Sequence, residues 1–181
     1  ISPPDSDEFN EPRLGLQWQW QANSQIQWGF PSALGYFTLN CIPKPEDHKN
    51  LLDVPNILLQ KLPASNFTAT SKIDFTFNFD QEEAGLVLMG LEYCYLRIKR
   101  IDGKNVLSQI IGLNSEKKVA EKEIESVAIK GSTIYLRVKV TENQESVYSY
   151  SEDNIHFKNI GTFFKIKKGK WIGAKLGFVA L

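Results

Sequence analysis

Trp18 and Trp20 stand two residues apart, a spacing that puts both indoles on one face of an extended strand. Two large rings side by side either stack on a sugar ring or a protein partner from the surface, or anchor a sheet core from within. Leu14 and Leu16 share the same alternation, which favours the core and expects at least one indole to be mostly buried. Another tryptophan, Trp171, follows the basic turn Lys165-Ile166-Lys167-Lys168-Gly169-Lys170 and begins a strand at the mouth of a loop. A flat indole there can pack on a sugar ring or cap the core, and both readings stay open.

Carboxylates are the next groups able to do chemistry, since hydrolysis of a glycosidic bond needs only two of them facing one another. Here they fall at turns (Asp47, Asp53, Asp102, Asp153) or in a mixed-charge run (Glu116, Glu121, Glu123, Glu125). Glu82 and Glu83 are adjacent, and neighbours in a strand point to opposite faces. Near the N-terminus Asp5, Asp7 and Glu8 could donate oxygens to a structural calcium. A calcium site wants six to eight oxygens, so the expectation is no cofactor, with calcium at Asp5 and Asp7 as the one metal considered. His48 and His156 sit among polar and turn-forming residues without paired-ligand spacing and read as surface histidines. Cys41 and Cys94 make neither a disulfide framework nor a metal motif, and Cys94 reads as a buried free thiol. No nucleophile elbow, phosphate-binding glycine loop or dinucleotide fingerprint occurs, so no residue is assigned to catalysis.

Composition limits the partners. Lysine plus arginine equals aspartate plus glutamate, which argues against general attraction to nucleic acid or to an anionic membrane. No apolar run approaches the length of a membrane span. The 181 residues suit one domain spanning 1–181, with enough apolar residues for a proper core. The chain opens without an initiator methionine or a signal peptide and reads as a piece cut from a longer one. The compartment is left open, with a secreted or periplasmic location favoured over the cytoplasm.

The elements that must position these groups are strands. Ile73, Phe75, Phe77 and Phe79 alternate with Lys72, Asp74, Thr76 and Asn78, the pattern of a half-buried strand. Ile134, Leu136, Val138 and Val140 alternate with polar residues in the same way. Gly85-Leu86-Val87-Leu88-Met89-Gly90 is continuously apolar and predicts a central strand covered on both sides. Asp102-Gly103 between two apolar runs predicts a tight hairpin. Residues 43–54 read as an exposed loop, and residues 115–125 as a helix, an exposed strand or a loop. Many short strands with regular turns predict an all-β sandwich or barrel.

Several multi-residue segments also carry a family likeness. Asp5-Ser6-Asp7-Glu8-Phe9 followed by Leu14-Gly15-Leu16-Gln17-Trp18-Gln19-Trp20 resembles the opening of the β-sandwich domain that follows the catalytic propeller in glycoside hydrolase family 43 enzymes. Phe30–Leu39, Leu58-Leu59-Gln60-Lys61, Phe67–Phe75, Ala84–Gly90, Tyr93–Leu96, Ile134–Val138 and Tyr148–Asp153 continue the resemblance in order. Trp171–Phe178 is similar to the penultimate strand, and the match runs through essentially the whole chain. Family members continue past this strand to a last, acidic and aromatic-rich one. An end at Leu181 is therefore expected to leave one sheet position unfilled.

The resemblance implies an all-β fold, two antiparallel sheets in a concanavalin A-like jelly roll. It implies a parent β-xylosidase or α-L-arabinofuranosidase acting on plant-wall oligosaccharides, with its catalytic carboxylates in a five-bladed propeller upstream. The partners implied are that propeller, in the same polypeptide, and the plant-wall oligosaccharide. The domain docks on the propeller in this reading, and Trp171 lies near the loop that can approach the pocket, with Trp18 and Trp20 as further sugar-stacking candidates. The alternative is an autonomous carbohydrate-binding module, and an independent enzyme is disfavoured for want of a site.

Overall fold

The structure, a computed structural model, describes residues 4–32, 34–169 and 173–181. Fourteen strands follow one another among the described residues: β1 (Gln19–Trp20), β2 (Gly29–Pro31), β3 (Phe37–Leu39), β4 (Leu58–Lys61), β5 (Phe67–Asp74), β6 (Glu83–Met89) and β7 (Tyr93–Ile101). Then come β8 (Lys104–Gly112), β9 (Lys122–Ala128), β10 (Thr133–Val140), β11 (Glu145–Ser151), β12 (Lys158–Asn159), β13 (Phe164–Lys165) and β14 (Lys175–Ala180). Two antiparallel sheets result, as expected for the sandwich. One runs β1-β4-β14-β6-β7-β8-β9 and the other β12-β11-β10-β5, with β13 beside β11. The short β2–β3 hairpin stands apart.

Alternation decides which side chains meet between the sheets. Leu86 and Leu88 of β6, Cys94, Leu96 and Ile98 of β7, and Leu107 of β8 face Ile134, Leu136, Val138 and Val140 of β10 and Tyr148 of β11. All are buried, and removing this much apolar surface from water is the main stabilisation of such a sandwich. The turn Asp102-Gly103 joins β7 to β8 with φ of 48° and 72°, the left-handed pair that a tight hairpin requires.

Residues between the core strands of β6 and β7 point the other way and build a second core. Val87, Met89, Tyr93, Tyr95, Ile110 and Val179 pack there against Leu51, Val54 and Ile57. The expectation of an exposed loop at 43–54 is thus corrected at its C-terminal end. Residues 51–53 form a short 3-10 turn, capped by Asn50, and Leu51 and Val54 are buried. The Asn50 side chain accepts from the Leu52 amide and donates to the Ser115 carbonyl at 2.9 Å. The Tyr93 hydroxyl accepts from the Leu51 amide at 2.9 Å and donates to Glu121 at 2.5 Å. The prolines and charges of this segment mask its two buried apolar anchors, Leu51 and Val54.

Of the alternatives left open at 115–125, the structure takes the exposed strand and loop, with a 3-10 turn at Ser115–Lys117 and the start of edge strand β9 at Lys122. The alternation through Phe79 outlasts its strand: β5 ends at Asp74, Phe75 and Phe77 stay buried, and Phe79 is exposed. The likeness had also predicted an unfilled sheet position. β14 has neighbours on both sides, β4 and β6, whereas β5 pairs with β10 alone among the described residues.

Candidate functional surfaces

Phe9, Trp18, Trp20, Trp28 and Phe37 build an aromatic apron along the sandwich. Trp20 lies in β1, and Trp18 just before it. Both indoles are partly buried, and they do not share their face with Leu16, which is almost fully exposed. Trp18 lies between Phe9 and Phe178, with ring centroids 5.6 and 5.8 Å away. Trp20 meets Trp28 edge-on at 5.4 Å and Phe37 at 6.3 Å. Each indole therefore has a protein ring where a sugar would have to stack, which supports the anchoring role.

Asp7 holds the apron together. Its Oδ1 accepts from the Phe9 amide at 2.8 Å, and its Oδ2 accepts from Gln17 Nε2 at 2.9 Å and Trp18 Nε1 at 2.8 Å. Three N–H donors thus surround Asp7, one of the two calcium candidates, and the other, Asp5, is exposed. Among the described residues no group of three or more histidine, cysteine, aspartate or glutamate side chains could hold a metal ion.

The β2–β3 hairpin has two unlike faces. Phe37 points inward to Phe9 and Trp20. The register Phe30↔Thr38 and Pro31↔Phe37 turns Phe30 and Tyr36 outward, each 50% exposed, and Leu34 near the tip is 79% exposed. Leu16 and Ile26, also exposed, lie in the same N-terminal stretch. Apolar side chains grouped on one hairpin face mark a contact surface rather than a random scatter.

Two charged clusters stand beside the second core. Glu83, buried at 1% exposure, has Oε1 2.6 Å from Lys44 and Oε2 3.7 Å from Lys99 and 3.9 Å from Arg97. Arg97 also bonds Glu123 at 2.6 Å. The adjacent Glu82 instead accepts from the amides of Asn78 and Phe79, so the two carboxylates do point apart. Glu121 takes the hydroxyls of Tyr93 and Tyr95, whose ionisation is pushed well up, first by burial and then by neighbouring carboxylates. Glu83 and Glu123 are thus neutralised by cations, and Glu121 is hydrogen-bonded to tyrosine.

The remaining candidates disperse. His156 is exposed and pairs with Asp153 at 2.7 Å, and the His48 ring nitrogen meets the Pro45 carbonyl at 2.9 Å. Both cysteines are free thiols, with burial raising Cys94 to about 12 and Cys41 to about 11. Trp171 lies outside the described residues. Sequence reasoning gave Tyr36 and Phe30 no contact role, although the aromatic content of 30–37 was a signal for both, and it weighed Glu83 only as half of a carboxylate pair.

A family model described as the beta xylosidase C-terminal concanavalin A-like domain matches residues 6–181. The chain is 26% identical to a beta-xylosidase of Formosa agariphila, covering 97% of this chain and 32% of that protein. It is 27% identical to a putative beta-xylosidase of Xylanibacter ruminicola, covering 94% and 30%. A bifunctional GH43-CE protein of Bacteroides eggerthii superposes with a TM-score of 0.83 at 24% identity, over 96% of this chain and 23% of that one. The chain thus spans about a third of the curated relatives it matches. With sandwich, sheet order and family model in agreement, the chain belongs to the family of beta-xylosidase C-terminal concanavalin A-like domains.

Proposed function

We propose that this chain is the non-catalytic sandwich of a family 43 glycoside hydrolase, docking on the catalytic propeller of the same polypeptide. The parent cleaves plant-wall oligosaccharides as a β-xylosidase or an α-L-arabinofuranosidase. The carrying observation is the outward hairpin face, with Phe30, Leu34 and Tyr36 exposed on an element whose other face is locked into the aromatic apron. An interface core built from aromatic and aliphatic side chains is what a permanent intramolecular contact uses. Glu83 held by Lys44 and Glu121 held by Tyr93 are carboxylates engaged in packing the second core, which supports placing the chemistry elsewhere in the parent.

The test separates the two halves of the parent. The propeller and this chain, expressed apart and mixed, are expected to co-elute on size exclusion, and a Phe30→Ser, Tyr36→Ser double variant is expected to lose the complex while melting cooperatively by itself. Co-elution unaffected by the double substitution would move the docking surface elsewhere. Trp171 is proposed to narrow the substrate pocket. In the complete enzyme, Trp171→Ala should lower kcat/KM on short xylosides and arabinosides. A lowered Tm with unchanged kcat/KM would assign Trp171 to the core.

A further inference from the structure

The outer face of the five-stranded sheet is exposed along β5 and at Lys139, is covered at Ser149 and Ser151 of β11, and is chemically unlike the hairpin. We propose that it is a contact surface for a uronate-bearing sugar chain, with Tyr135 as the ring platform and Arg137 as the carboxylate ligand. This goes beyond docking on the propeller and does not depend on it.

Burial of Ile134, Leu136 and Val138 between the sheets turns Tyr135, Arg137 and Lys139 outward on the central strand β10. The register sets Tyr135 between Ser151 and Lys72, Arg137 between Ser149 and Thr70, and Lys139 between Val147 and Thr68. The Arg137 guanidinium is held in place: its Cζ lies 3.4 Å from the centroid of the Phe157 ring, and Nε donates to Thr70 Oγ1 at 2.8 Å. Its two terminal nitrogens have no partner among the described residues. A fork fixed on an aromatic plane, with its outer nitrogens free, matches the geometry of a carboxylate.

Tyr135 is partly exposed and has neither an aromatic nor a hydrogen-bonding partner among the described residues. Two residues along a strand span about 7 Å. A pyranose ring lying on Tyr135 therefore brings a carboxylate on its C5 to the Arg137 fork. Thr68 and Asn159, exposed on the flanking strands, supply hydroxyl and amide groups for the sugar hydroxyls.

Charge chooses the acidic sugar over other occupants. Arg137 and Lys139 lie on β10, and Lys72 stands beside Tyr135 on the edge strand β5. The carboxylates at its margins already face lysines, Asp74 with Lys72 at 3.1 Å and Glu145 with Lys165 at 4.0 Å. A protein interface would want a continuous apolar centre, whereas here Val147 and the Phe157 ring are separated by charged and hydroxyl side chains and Arg137 lies over Phe157. The chain's zero net charge gives none of the long-range attraction that nucleic acid binding uses.

The test titrates the 181-residue chain with an oligogalacturonide, with the same oligomer methyl-esterified, and with dextran sulfate, by isothermal calorimetry. Binding of the acidic oligomer is expected, weakened about tenfold to a hundredfold by esterification or by Arg137→Ala. Arg137→Lys, which keeps the charge and loses the fork, should weaken it too, as should Tyr135→Ala, whereas Tyr135→Phe should not. Circular dichroism checks that each variant folds. Equal affinity for acid and ester, dextran sulfate binding that matches the oligogalacturonide and ignores Tyr135, or no heat up to millimolar oligomer would each overturn the proposal.

Discussion

The indole nitrogen of Trp18 donates to Oδ2 of Asp7 at 2.8 Å, and the same carboxylate holds the Phe9 amide through Oδ1. One short acidic side chain thereby ties the N-terminal segment to the aromatic row that ends on Phe178. Asp7→Ala leaves partly buried donors unmatched and should cost roughly 1–3 kcal/mol in urea unfolding. Because three N–H groups converge on this carboxylate, calcium or a chelator should leave the Tm where it is. A calcium-dependent rise would contradict that assignment.

Glu83 is the centre of the most demanding electrostatic arrangement. Its carboxylate is fully buried, and Lys44, Lys99 and Arg97 are held around it. Removing one member of a buried ion cluster strands the others, so Glu83→Ala should destabilise the domain by roughly 3–5 kcal/mol. Glu83→Gln keeps the volume but not the charge and should fall between. Chemical denaturation of the three proteins side by side checks the order.

Gly161 closes a lock between the sheets. Gln109, buried in β8, donates from Nε2 to the Thr162 carbonyl at 2.7 Å and accepts the Thr162 amide at 2.8 Å. Gly161 has φ +75°, and a Cβ there would stand 1.8 Å from Gln109 Oε1. Gly161→Ala must both adopt an unfavourable backbone and displace this pairing, so a loss of at least about 2 kcal/mol is expected. Retained wild-type Tm would show that the turn can move aside.

Alkali should unfold the domain through its buried acids. Burial raises Cys94 from 9.0 to about 12 and pushes Tyr93, Tyr95 and Tyr148 upward as well. In the unfolded chain these groups lose their protons near their ordinary values, whereas in the folded chain they keep them. The stability they lend is thus complete below pH 9 and declines as pH rises toward 12, by up to about 1.4 kcal/mol per pH unit for each group. Thermal melts from pH 8 to 11 should show a falling Tm, and Cys94 should resist thiol reagents at pH 8 in the folded state.

What could be read from the chain was what neighbours in sequence decide. The alternation of Ile134, Leu136, Val138 and Val140 became β10 facing the core, the run Gly85–Gly90 became a strand buried on both faces, and Asp102-Gly103 became the hairpin turn between β7 and β8. Strand periodicity and turn chemistry are local, so they survive without knowledge of the fold. Pairings across the sandwich are not local. Leu16 matched the tryptophans in period yet ended exposed, because β1 begins only at Gln19. Leu51 and Val54 read as loop, yet they cover a second core because Tyr93, 42 residues beyond Leu51, supplies the hydroxyl that holds them. Arg137 and Thr70 lie 67 residues apart, and only the register of β5 on β10 brings them together on the outer face. Residue types and their spacing determined the strands; which strand faces which, and therefore which charges are buried and which aromatics meet solvent, was decided by the packing of two sheets on one another.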